Sequence, residues 1–182
     1  MPQDPTDSDG TRTAFEPCGL ARRDIEKVAD RLRQVLGPEC GVSIPTPVES
    51  MVERLGGEIR AVRLREAQEN EPEASIQVFS DGHFIVRVLP LAGDTRVRFS
   101  LAHEFGHFVL HSQLGKISGS AARQGTGRLE WEANWFAAAL LMPEQEFRDA
   151  YDDLRSVARC AQRFWVSADA AAIRAKTLGL GQ

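Results

Sequence analysis

The chain has 182 residues, which suits one domain with a real core, and its 42% hydrophobic and 26% charged residues are ordinary for a globular protein. A net charge of −4 and a pI near 5.6 argue against an affinity for nucleic acid or anionic lipid driven by charge alone. Cys18, Cys40 and Cys160 are odd in number and lack Cys-x-x-Cys spacing, so they read as reduced thiols; with no apolar signal core and no apolar run of membrane-spanning length, the expectation is a cytoplasmic protein.

Met1 to Pro17 is rich in Asp, Pro, Ser and Thr, the composition of a disordered tail. From Leu20 to Leu36 the apolar residues Ile25, Val28, Ala29, Leu32, Val35 and Leu36 recur at helical spacing, and Gly37-Pro38 is expected to stop the helix. A second helix is expected from Pro45-Thr46-Pro47 to Leu55, closed by Gly56-Gly57. Both read as scaffold.

Strand signals follow. Glu58 to Leu64 alternates through Ile59 and Val62, an acidic loop spans Glu66 to Glu73, and Ser75 to Phe79 and Phe84 to Leu89 flank Asp81-Gly82, a strong hairpin signal. The expectation is a small antiparallel sheet, whose edge offers an extended peptide a place to add by backbone hydrogen bonding. His83, at the turn, is expected to face solvent.

The stretch from Arg98 to His111 holds three of the four histidines and contains His103-Glu104-Phe105-Gly106-His107, a His-Glu-x-x-His pattern. Helix positions four apart lie about 40° apart around the axis and about 6 Å along it, so His103 and His107 can aim at one zinc ion. Glu104, about 100° round from His103, is placed to act as general base on a water rather than as a ligand. Phe99, Leu101, Phe105, Phe108, Val109 and Leu110 make the segment apolar nearly all round, which implies a buried helix. Buried imidazoles and a buried carboxylate need a partner, and a metal ion supplies one. His111 lies about 12 Å beyond His103 along an unbroken helix, too far to share the same ion, so it is expected to support a ligand or end the helix.

Gln113 to Gly127 is rich in Gly, Ser and Ala and reads as a mobile connection, a candidate lid. Leu129 to Pro143 is an almost wholly apolar helix interrupted by Glu130, Glu132 and Asn134. A catalytic zinc with two histidines takes a third protein ligand and leaves one position open. Glu130 and Glu132 are the candidates, and because they lie about 200° apart only one can face the metal. Asn134, one turn after Glu130, could hold a ligating imidazole, which favours Glu130 and leaves Glu132 as the alternative. From Pro143 on, three short helices are expected: one from Pro143, one over Leu154 to Phe164, and one capped by Ser167 running through Ala170, Ile173 and Leu178. The last two, joined at Trp165-Val166-Ser167, resemble a helix-turn-helix with Arg155, Arg159, Arg163, Arg174 and Lys176 nearby; a packing or partner-docking role is preferred to DNA binding.

Arg98 to His107, then Glu130-x-Glu132-Ala133-Asn134-x-Phe136-Ala137 and Leu140-Leu141-Met142-Pro143, resemble the ImmA/IrrE family of metallopeptidases, and Phe164 to Leu180 is similar to that family's C-terminal helices. The Glu130…Asn134 pattern is similar to that of gluzincin peptidases, whose glutamate binds zinc. The resemblance implies an α+β, minimal zincin-like domain: a tail over 1–17, a metallopeptidase core over 18–142 and a C-terminal helical subdomain of the same unit over 143–182. It implies Zn2+ on His103, His107 and Glu130, Glu104 as catalytic base, and Asn134 and His111 in support. His111 and Arg98 are candidates to help stabilise the oxyanion. The implied substrate is a helix-turn-helix (XRE-type) repressor encoded nearby, cleaved to release stress-response or mobile-element genes. The alternative is a zinc-stabilised module that binds such a partner without cutting it.

Overall fold

The computed structural model describes residues 14–40, 44–62, 72–89, 93–122 and 127–180. In chain order these form α1 (Arg22–Cys40), α2 (Val48–Arg54), β1 (Gly57–Ala61), β2 (Ala74–Val78), β3 (Phe84–Val88) and α3 (Asp94–Gly106), which a π-helical turn (His107–His111) continues. After these come β4 (Gly119–Ala122), α4 (Arg128–Leu141), α5 (Glu144–Leu154), α6 (Val157–Phe164) and α7 (Ala168–Thr177). The class is α+β.

The expected hairpin is present. β2 and β3 pair antiparallel with Val78 opposite Phe84, and the turn depends on Gly82, whose φ of +84° suits glycine. The Asp81 carboxylate accepts from the His83 N–H at 3.0 Å. The strand order is β1-β3-β2-β4.

Two features depart from the sequence reading. The sheet is mixed rather than wholly antiparallel, because β1 runs parallel to β3, with Gly57 opposite Phe84. No tight turn joins β1 to its neighbour, so its direction is set by packing and not by hairpin geometry. The connection that separates β1 from β2, including most of the expected acidic loop, lies outside the described residues. The second departure is β4, which sits in the segment expected to be a mobile lid and pairs antiparallel with β2. Its Gly119, Ser120 and Ala121 carry little strand propensity; backbone pairing to β2 makes the strand.

The assignment of 14–17 to a disordered tail is also corrected. Ala14 bridges to Ser120 on the outer side of β4, and Phe15 is buried in the core, an apolar burial that holds the segment down. Residues 1–13 lie outside the described part.

Aromatic rings connect the sheet to the site helices. Phe84 of β3 stacks on Phe108 with centroids 3.8 Å apart, and Phe105 meets Phe136 of α4 edge-on at 6.1 Å. α1 packs its Ile25 and Ala29 face inward, whereas Val35 is exposed. The helix passes Gly37-Pro38 and ends at Cys40: Pro38 falls in the last turn, where its missing N–H costs one bond without ending the helix.

The C-terminal helices share the core, with Phe147, Cys160, Phe164 and Val166 in the same buried cluster as Phe105 and Phe136. Ser156 and Ser167 cap α6 and α7 through their side-chain oxygens. Ile173 is 68% exposed, while Arg174 is buried. The Arg174 guanidinium donates to the Met142 carbonyl and to Glu26, both at 2.9 Å, so it is an internal tie and is not available to a nucleic acid. Among the described residues no helix is long and apolar enough to cross a membrane.

Candidate metal centre

The site lies between α3 and α4, and close backbone packing brings the two helices together. A Cβ built on Gly106 would stand 3.3 Å from the Ala133 backbone and 3.1 Å from the Phe136 ring. Glycine and alanine at the crossing let α4 carry its carboxylates to the histidines.

Four hydrogen-bonding side chains converge there. The Nε2 atoms of His103 and His107 are 3.1 Å apart, and the Glu130 carboxylate lies 3.1 Å from the first and 3.4 Å from the second. Both imidazoles are fully buried and Glu130 nearly so. Behind His103, Nδ1 donates to the Asn134 Oδ1 at 3.0 Å; that oxygen can only accept, so the His103 hydrogen sits on Nδ1 and Nε2 keeps its lone pair. Glu104 follows His103 on α3 and is fully buried.

Charge in the cluster is set by burial and by the facing groups together. Burial pushes the Glu130 carboxyl up, but the two imidazoles that face it outweigh burial and hold the group at about 2. Burial lowers the His107 pKa despite the neighbouring Glu130 carboxylate. Two imidazoles beside an ionised carboxylate make a donor set suited to a divalent cation.

His111 is elsewhere. The helix widens at His107, and the Ser112 N–H reaches back five residues to the His107 carbonyl at 3.0 Å. In this turn His111 Nδ1 lies 2.9 Å from His107 Nδ1, and its Nε2 lies 3.1 Å from Glu132 Oε2. It touches His107 from behind and does not reach the cluster of Nε2 atoms. Burial and the neighbouring His107 hold its pKa down to about 4. Glu132, the alternative ligand, belongs to this second group. Besides His111, its oxygens accept from the Arg128 guanidinium at 2.8 Å and from the Cys18 and Gly19 amides at 2.7 and 3.0 Å. Burial raises its pKa, and these donors outweigh the effect to hold it at about 2.

Two groups of metal-capable atoms therefore occur among the described residues, His103–His107–Glu130 and Cys18–His111–Glu132, each with its atoms within 4.8 Å of one another. The sequence reading missed the second. Arg128, four residues before Glu132, was a legible signal for part of it; Cys18, distant in sequence, left none. Arg98, a candidate for the oxyanion, points away: it is buried, bonds the Thr46 carbonyl and lies over the Trp165 ring at 5.2 Å. His83 is exposed.

No curated protein matches the chain. Among solved structures, a Mycobacterium tuberculosis transcriptional regulator superposes with a TM-score of 0.57 at 19% identity, over 84% of this chain and 46% of that one. This chain thus spans about half the length of that protein, and the likeness is one of fold. The family model described as the IrrE N-terminal-like domain, Peptidase_M78, matches residues 58–176. That span runs from β1 almost to the end of α7 and includes both histidines of the pair, Glu104 and Glu130. With a fold, a buried donor cluster and a sequence match that agree over most of its length, the chain belongs to the IrrE N-terminal-like (Peptidase_M78) family, a family of metallopeptidases.

Proposed function

We propose that the protein is a zinc-dependent endopeptidase whose substrate is a helix-turn-helix transcriptional repressor, cleaved to release the genes it silences. The observation that carries the peptidase reading is the meeting of His103 Nε2, His107 Nε2 and the Glu130 carboxylate on two buried helices. Tetrahedral zinc with bonds of about 2.0–2.1 Å puts its ligand atoms roughly 3.3 Å apart. The separations here are 3.1, 3.1 and 3.4 Å, so the residues fit the ion. Two imidazoles and one carboxylate form a set that leaves a coordination position open, as catalytic zinc requires.

When bound, the ion supplies Lewis acidity, which makes water acidic and polarises a peptide carbonyl. The rest is work for the chain's own residues. Glu104 takes the proton from the attacking water and delivers it to the departing amine nitrogen. Asn134 fixes the His103 ring through its Nδ1 hydrogen. Burial of the cluster keeps competing water away and strengthens each interaction within it.

The repressor as substrate rests on the family resemblance and on the regulatory setting of the solved relative, which is itself a transcriptional regulator. The test is incubation of the zinc-loaded protein with the repressor of the neighbouring gene, with and without chelator, and mass spectrometry of the products. Fragments are expected only with metal, and Glu104→Gln should bind zinc and produce none. If wild type and Glu104→Gln inactivate the repressor equally well without fragments, the protein is a non-proteolytic binding module.

A further inference from the structure

We propose that Glu132 and His111 are positioning residues for the metal centre: acting in series, they keep the hydrogen of His107 on Nδ1 and leave its Nε2 lone pair facing the cluster. The proposal rests on the reading above only in taking His103, His107 and Glu130 as the metal-binding set.

Hydrogen-bond arithmetic carries the argument. His107 Nδ1 and His111 Nδ1 are 2.9 Å apart and buried, and only one hydrogen fits between them. If His111 supplied it, His111 Nε2 would face the Glu132 carboxylate with a lone pair, acceptor against acceptor at 3.1 Å. If His111 carried both hydrogens it would be a buried cation beside a Glu132 already paired with Arg128, an added charge with no counterion of its own. The remaining arrangement has His111 donating from Nε2 to Glu132 and accepting on Nδ1 from His107. His107 then has no hydrogen on Nε2, the state a metal ligand needs.

Glu132 can direct this order because it is a fixed acceptor. It is fully buried, and its oxygens are filled by donors from three places: Arg128 one turn earlier on α4, the amides of Cys18 and Gly19, and His111. The N-terminal segment that bridges to β4 at Ala14 is thereby fastened to the metal centre through a single carboxylate.

The same wiring decides how the second cluster behaves. Cys18, His111 and Glu132 are close enough to hold a cation, but a cation on His111 Nε2 would move that ring's hydrogen to Nδ1. His107 would then have to accept it, and its own hydrogen would move to Nε2. Occupation of the first centre and of the second are mutually exclusive, and the loaded protein has Glu132 as a hydrogen-bond acceptor and no cation beside Cys18.

The experiment compares zinc affinity, by competition with a chromophoric chelator, for wild type, His111→Phe and His111→Gln. Phenylalanine keeps an aromatic ring but cannot accept from His107, and the expected loss is about 10–100-fold. Glutamine has a different shape but offers an acceptor, and should recover most of that loss. A packing role predicts the reverse order, and finding that order overturns the proposal. Nitrogen-15 NMR of the zinc-loaded wild type should show the hydrogen of His107 on Nδ1 and that of His111 on Nε2. In Glu132→Leu the His111 preference should be lost. A His111 hydrogen on Nδ1 in wild type also overturns the proposal, as does a thiolate-to-metal charge-transfer band from Cys18 at up to two equivalents of cobalt. Wild type that takes up no zinc would refute the metal-centre reading itself, whereas zinc uptake with the wrong variant order refutes the relay alone.

Discussion

Gly106 and Ala133 touch backbone to backbone where α3 crosses α4, with 3.3 Å between the place a Cβ would occupy on Gly106 and the Cα of Ala133. The spacing of the metal-capable atoms depends on this approach, since Glu130 is one turn from Ala133 on α4 and His103 and His107 flank Gly106 on α3. Gly106→Val places branched carbon where the Phe136 ring and Ala133 already are. We expect a stability loss of about 1–3 kcal/mol from overpacking, together with weaker zinc binding, as Glu130 is levered away. Urea unfolding and chelator competition on the same variant check both; unchanged zinc affinity in a destabilised variant would show that the crossing does not set the spacing.

Asn134→Ala removes the acceptor behind His103 while leaving Glu130 untouched. Asn134 is only half-buried, so water can take its place, and the loss of zinc affinity should sit at the low end, about 10-fold. Isothermal calorimetry at neutral pH reads this directly. A loss as large as that from Glu130→Ala would contradict it.

Acid should unfold the metal-free protein in two overlapping stages. His111 is held to about 4 in the folded protein by burial and by its His107 neighbour, against roughly 6.5 in the unfolded chain. The unfolded state therefore takes the proton first, and stability falls as the pH drops from about 6.5 towards 4. Glu132 acts in the same direction at lower pH. Its folded value of about 2 contributes stability that is complete above the ordinary carboxylate range, near 4.3, and is lost below it. The expected order of Tm values for chelated protein is pH 7 above pH 5 above pH 3. His111→Gln should flatten the first step and leave the second.

Arg174 is fully buried between α7, the end of α4 and Glu26 of α1. Arg174→Ala leaves the Met142 carbonyl without its donor and Glu26 with only the Arg22 guanidinium at 3.0 Å, a change expected to cost about 1–3 kcal/mol. Arg174→Met, which keeps the stem volume, should cost less. Thermal melts of the two variants settle the order, and exposed Arg155→Ala provides the comparison, with an effect within about 0.5 kcal/mol.

Where periodicity or a special dihedral carried the information, the sequence was readable. The Asp81-Gly82 hairpin follows from a positive φ that glycine tolerates, α1 follows from its apolar spacing, and α3 and α4 follow from long apolar runs around the His-Glu-x-x-His pattern and the two glutamates. The elements that were not readable are those made by distant partners. β4 exists because β2 had an open side; no residue in Gly119–Ala122 announces it. Phe15 was averaged into an acidic, proline-rich window, yet one buried ring is enough to anchor its neighbours. Glu130 and Glu132 could not be separated by periodicity on a helix so apolar, and the structure uses both, in different clusters. Nothing in His107-Phe108-Val109-Leu110-His111 marks a π-helical turn, and that turn decides where His111 points. Arg174 read as surface charge because its partners lie on α1 and at the end of α4.

Neighbours Ile173 and Arg174 show how the outer helix divides its labour. One stands in solvent and the other clamps α1 to the helix bearing the carboxylates. Substitutions on the outward stripe of α7 can thus accumulate without loosening the clamp beneath.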